Sequence, residues 1–376
     1  MRSRLLLLSS LLLPAIAVEA ATSCVSTVAG LQSALSEAEN NGEDDHILIA
    51  TGTYAPGTGT FAFDYRATEN RSLRLTGGYV LVGASCLLQA LDPALTVLSG
   101  SGARSVLRLA GDPGTSGNIR VEALTIRDGH STESGGGGTL GGVAGFNGDV
   151  VIDRVIVRNN DAELFGGGLS VSTSGTVSIS NSFFLANRVG IGHSALTLTL
   201  NTPDAAPNFI VGNTLVANGC LPASSCNFAL RAGSASDAEV VVANNALAFN
   251  GGDDDLRIDG PLGLFLYRNN FVGLSTNVAP EVNVGNLALT NPDFVDPFDD
   301  DYRLLPESPL RNAGHTPFVL TDRDLDGLPR INGADVDIGA YESRVELFSD
   351  GFDQDAARAR PAFGLHAPQA STPPSP

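Results

Sequence analysis

Along the middle of the chain, short runs of alternating apolar and polar residues end repeatedly in an asparagine-containing pair. Val177 and Ile179 precede Asn181-Ser182, Phe209 and Val211 precede Asn213-Thr214, Val240 and Val242 precede Asn244-Asn245, and Phe265 and Tyr267 precede Asn269-Asn270. The first asparagines of these pairs lie 32, 31 and 25 residues apart. Two earlier copies, at 119–124 and 150–155, fit the same frame with Ala123 and Arg154 in the asparagine position. A second apolar run closes on Asn187, Asn218 or Asn250, and a third begins at Leu169, Leu196, Phe228 or Leu256. Period-two alternation marks strands with one buried face. Strands this short enclose no core by themselves, so the repeats must stack.

Stacking equal repeats sets parallel strands about 4.8 Å apart and lays like residues over one another, inside and out. Asparagine suits the turns because it tolerates left-handed backbone angles and its amide can bond to the asparagine of the next repeat. The competing architecture is a two-sheet β-sandwich, but hairpin signals such as Asn-Gly are scarce between the runs while the repeat phase persists. Near the start, Leu31, Leu35 and Ala38 fall on one face of a short helix at 28–39, ahead of a first strand at 47–50. A stack of coils exposes an apolar end, so this helix is placed as a lid within an N-terminal cap at 21–45.

Composition narrows the chemistry. The 376 residues carry 22 Lys+Arg against 41 Asp+Glu, a net charge of −19. Every one of the 22 cations is arginine, which removes Schiff-base, phosphate-loop and pyridoxal-anchoring lysines. The sign of the charge argues against nucleic acid, whose backbone needs a basic stripe to neutralise it. With 43 glycines and only 17% charged residues, the chain favours a turn-rich architecture over helices laced with ion pairs.

The ends suggest export. Arg2 and Arg4, an apolar run at 5–16 and Val18-Glu19-Ala20 read as a signal peptide at 1–20. The run is too short to span a ~30 Å hydrocarbon core, so the mature chain is expected to be secreted or surface-exposed, monomeric, and without a transmembrane segment. Four cysteines allow three pairings. Cys24–Cys86 with Cys220–Cys226 is favoured, because the second pair closes a short loop and the first ties the mature N-terminus to an early strand. The stretch at 367–376 is rich in Pro, Ala and Ser and reads as a disordered tail.

With these residues in view, the chain resembles the right-handed parallel β-helix superfamily, the pectin-lyase-like fold. The likeness covers residues 46–293 and implies an all-β fold of about seven or eight coils. Gly166-Gly167-Gly168-Leu169 and Phe184-Leu185-Ala186-Asn187 are similar to the GG-apolar and F-x-x-N elements of polymorphic outer-membrane protein repeats. The segment 294–346, read as a C-terminal cap, resembles the end of bacterial choice-of-anchor Q proteins through Asn291-Pro292-Asp293-Phe294, Asp301-Tyr302-Arg303-Leu304, Asn312-Ala313-Gly314, the run from Asp324 to Arg330 and that from Val336 to Glu342. That resemblance implies a bacterial cell-surface protein, on the Gram-negative outer surface, of undefined activity. The terminal motif at 347–352, at the head of the 347–376 tail region, is similar to sorting tags of exported Gram-negative proteins.

In polysaccharide-processing members of the fold, substrate lies along one sheet, which implies a place for chemistry here. With Leu169, Leu196, Leu230 and Leu256 inward, Ser170, Thr197, Arg231 and Arg257 point outward in register, and Asp259 points the same way as Arg257. A lyase reading assigns Arg231 or Arg257 to proton abstraction, Ser170, Thr197 and Asp259 to substrate, and Asp253, Asp254 and Asp255 to Ca²⁺. Against it stand the net charge, the missing tryptophan platform and the absent Gly-His-Gly and Arg-Ile-Lys motifs. Arg127-Asp128-Gly129-His130, with Arg158, forms a second cluster that can hold an acid/base pair or simply a satisfied turn. Asp322, Asp324, Asp326 and Gly327 open like a calcium loop, although Gly333 stands where the bidentate Glu belongs. The leading expectation is adhesion or binding of a polysaccharide or cell-surface glycan; the alternatives are a Ca²⁺-dependent polysaccharide lyase and a structural surface protein.

Overall fold

Neighbouring strands pair in parallel at separations of roughly one repeat, because the alternating runs find their partners in the next copy rather than across a hairpin. A computed structural model describes residues 20–344 except 142–145, 203–205, 235–236, 252–254, 261, 269, 271–273, 277–279 and 288–290. One large sheet runs from Ala21–Val25 through Asp45–Ala50, Leu73–Val82, Ile119–Arg127, Val150–Arg158, Val177–Ser180, Pro207–Val211, Ala238–Ala243 and Leu262–Arg268 to Val282–Val284. A second runs from Phe61–Ala67 through Ser105–Gly111, Gly138–Gly141, Leu169–Thr173, Arg188–Leu200, Gly219–Ser234 and Leu256–Asp259 to Leu274–Thr276. Among the described residues the named strands pair antiparallel at two places, Leu73–Val82 with Ser85–Gln89 and Phe294–Asp296 with Asp301–Leu304. The protein is therefore all-β and dominated by parallel sheets, not the antiparallel layers of a sandwich.

Leu169, Val171, Leu196, Leu198, Leu230, Leu256 and Ile258 are buried, the inner half of the alternation, and each strand adds one layer to a continuous core. At the corners the backbone turns through left-handed angles. One column comprises Ala123, Arg154, Asn181, Gly212 and Asn244, and another Asp128, Asn159, Ala186, Ala217 and Phe249. Asn213 accordingly lies over Ser182, one place away from the alignment that the repeated pairs suggest. The reason is that the left-handed position and the bonding position are successive residues, and glycine fills the first as readily as asparagine.

The bonding residue follows each left-handed one and turns inward as a ladder. Asn160 Nδ2 donates to Asn187 Oδ1 at 2.9 Å, Asn187 to Asn218 at 3.0 Å and Asn218 to Asn250 at 3.0 Å. Asn213, Asn245, Asn270 and Asn286 form a second such ladder, with Ser182 N donating to Asn213. Each Oδ1 also accepts the backbone N–H of the preceding repeat's residue, so polar groups buried at the corner are paired.

The helix Val28–Ala38 starts at Thr27, whose side chain accepts the Gly30 N–H, and buries Leu31, Leu35 and Ala38. Cys24 is bonded to Cys86 and Cys220 to Cys226. From Asn291 to Ser343 the chain doubles back along the flank formed by Phe183–Leu185, Thr214–Val216 and Ala246–Ala248. There Phe294, Tyr302, Leu310, Leu325 and Ile338 pack on Phe183, Leu185, Val216 and Ala246. Its polar contacts extend from Asp300 on Arg158 to His315 on Asn244. No helix among the described residues is long and apolar enough to cross a membrane. The signal peptide expected at 1–20 lies, but for its last residue, outside the described residues, as do the motif and tail expected at 347–376.

Candidate surface strip on the second sheet

Alternation sends every second residue of the second sheet outward, and parallel register lines those residues up along the axis. Ser170 stands beside Thr197, Thr197 beside Arg231, and Arg231 beside Arg257. The same row continues in the other direction through Thr139, Arg108 and Asp64. Seven polar residues in succession thus cover about 29 Å at 4.8 Å per step. Asp64, Arg108 and Thr139 escape a search based on the later repeats because the turns that flank them do not carry the asparagine pair.

The two ends of this strip are built alike. Arg108 binds Asp64 through both carboxylate oxygens, and its guanidinium lies 4.6 Å from the centre of the Phe61 ring. At the other end Arg231 Nε donates to Asp259 at 3.0 Å and Arg257 Nε donates to the other oxygen of the same carboxylate at 2.6 Å. The Arg257 guanidinium lies 5.8 Å over Phe228. Gly233 makes room for this, since a Cβ there would sit 2.6 Å from the Arg231 guanidinium. An arginine acts as a proton acceptor only after losing its own proton, and here both guanidinium groups are engaged as donors to the Asp259 carboxylate. The arrangement offers planar donors and carboxylate acceptors.

Next to the arginines runs a stack of rings that the repeat pattern does not reveal. The His193 ring lies 6.0 Å from Phe165 and 5.6 Å from Phe228, inclined at 26° to each. His193 is 9% exposed and Thr197 8%, and His193 Nδ1 and Thr197 Oγ1 each lack a hydrogen-bond partner. Burial, helped by the charge of Arg231, pushes the imidazole down to about 4, so it is neutral at physiological pH. The rings stand four, three and two residues before Leu169, Leu196 and Leu230, a drifting offset that hides the stack from a search at fixed spacing.

The calcium expectations meet a different geometry. Asp253 and Asp254 lie outside the described residues, and Asp255 accepts a hydrogen bond from the Asn250 amide at 2.9 Å. Asp324 is turned inward, accepting N–H groups of Leu328 at 2.7 Å and Glu342 at 2.9 Å, and burial raises it to about 6. Asp326 is held by Arg303 through both oxygens, at 2.7 and 2.9 Å. Asp322, Asp324 and Asp326 therefore do not gather around a common point, and no three His, Cys, Asp or Glu among the described residues do. In the cluster at 127–130, Arg158 is drawn away to Asp300 at 2.6 Å and His130 stands beside Asp161. The chain matches no protein-family model, no curated protein and no solved structure.

Proposed function

We propose that this chain is an exported, surface-exposed parallel β-helix that binds extended carbohydrate along the strip from Asp64 to Arg257. The reading takes the fold as pectin-lyase-like, with seven or eight coils over 46–293 and Val28–Ala38 as the N-terminal lid. It takes 294–346 as a choice-of-anchor Q-like region. The observation that carries it is the unbroken row of hydroxyl, guanidinium and carboxylate groups, flanked at both ends by phenylalanine. Hydroxyls both donate and accept, so they suit a strip that holds donors beside acceptors; the rings suit the apolar faces of sugars.

The test is a glycan array probed with the purified chain and with Arg231→Ala and Arg257→Ala. Saturable binding to a glycan class, weakened about tenfold or more by either substitution, is expected. Equal signals from wild type and both variants would remove the strip from the function. Accumulation of an unsaturated sugar end in the same samples, abolished by Arg257→Ala, would replace the binding role with a lyase.

A further inference from the structure

A concave corner of about 580 Å³ lies between the left-handed column and the start of the second sheet, lined by Gly102, Asp128, Gly129, His130, Asn159, Asp161, Ala186, Arg188 and Ala217. It is separate from the strip, whose residues do not line it. Asp128, Asn159, Ala186 and Ala217 occupy one register column with φ of 53, 55, 53 and 54°, so the floor repeats at each step. Its backbone is held from repeat to repeat by Asp128 N on Arg158 O at 3.3 Å, Asn159 N on Leu185 O at 3.0 Å and Ala186 N on Val216 O at 3.3 Å. The neighbouring asparagines are consumed inside by the ladder. What faces outward is a rigid floor, apolar at the two alanines and polar at the other end.

That polar end mixes signs. Arg188 grips Asp161 through two bonds of 2.9 Å, His130 stands beside Asp161, and Asp128 adds a second carboxylate. An anion meets two carboxylates there and a cation meets Arg188, whereas a hydroxyl satisfies both kinds of group. One step beyond Ala217 comes Phe249, 55% exposed and held at φ 57°. A bulky residue is strained in a left-handed conformation that asparagine or glycine adopts readily. Phe249 makes an edge contact with Phe294 at 6.3 Å, yet much of its surface stays open at the end of the column.

We propose that this corner is a second ligand site, one that takes an uncharged, hydroxyl-rich chain, a neutral oligosaccharide, laid along the axis with its polar groups on Asp128, His130, Asp161 and Arg188 and a sugar face against Phe249. It goes beyond the strip, sharing with that reading only the premise that the chain binds glycan.

The probes are hexasaccharides of β-1,4-linked glucose and of β-1,4-linked N-acetylglucosamine, titrated calorimetrically into the full chain, into Asp161→Asn and into Phe249→Asn. A hexagalacturonate serves as the acidic comparison. Circular dichroism and melting establish that both variants are folded. Saturable binding of a neutral hexasaccharide is expected, weakened about tenfold in at least one variant. No binding of either neutral probe, or an unchanged titration in both variants, overturns the proposal. The two sites are told apart by substitution. Binding that falls with Arg231→Ala or Thr197→Val but not with the corner variants leaves the strip standing and sinks the corner; the reverse pattern does the opposite.

Discussion

His193 shows how one residue couples the strip to stability. Unfolded, its imidazole titrates near 6.5; folded, burial between Phe165 and Phe228 lowers it to about 4. The folded state therefore resists protonation. The stabilisation is present above pH 6.5 and is lost as pH falls from 6.5 to 4, by about 3 kcal/mol in total. His193→Phe keeps a ring in the stack and removes the proton. Urea midpoints measured from pH 7 to 4 should fall more steeply for wild type than for the variant, and parallel curves would show that His193 already titrates normally. The outward positions of Arg231 and Arg257 could be read from the sequence because each lies one residue after a periodic leucine. His193 could not, because its meaning rests on rings 28 and 35 residues away, across loops of unequal length.

The corner ladders are the elements that make the repeats a single object. Asn218 accepts the N–H and the amide of Asn187, and its own amide reaches Phe184 O and Asn250. Asn218→Ala strips buried donors of their acceptor, and unmade bonds at such sites cost about 1–3 kcal/mol each, so a loss of about 2–4 kcal/mol is expected. Asn250 ends the ladder and is only partly buried, so Asn250→Ala should cost about 1 kcal/mol. Equal losses in chemical denaturation would mean that the ladder has no cooperative interior. The recurrence of asparagine announced these ladders, since both a left-handed turn and a stacked amide favour that residue. It misplaced one rung, because Gly212 meets the backbone requirement without the amide and so hides the frame.

At the scale of the whole molecule, the stretch from Asn291 to Ser343 was legible as a motif but not as a place. Its contacts, such as Thr321 with Asn181 at 2.6 Å, join residues 140 apart, and no periodicity encodes them. Its hub is Arg330, which is 2% exposed and bonds Glu342 at 2.8 Å and the carbonyls of Asp337 and Gly339 at 3.2 and 2.7 Å. Burial lowers the arginine and raises Glu342 to about 7, so desolvation of both charges outweighs their attraction. The pair is weak evidence for stability as a whole, but removing one half is costly. Arg330→Met leaves Glu342 and Asp337 buried without their cation and should destabilise by about 3–5 kcal/mol, part of which Arg330→Met combined with Glu342→Gln restores. A stack of repeats touches only its neighbours and tends to unfold piecewise, whereas this stretch bridges from Arg158 to Asn244 and ties the intervening repeats together. Denaturant unfolding followed by hydrogen exchange should therefore show residues 150–250 opening together in wild type. In Arg330→Met they should open in at least two steps, and a single shared transition in the variant would show that the ladders alone provide the cooperativity.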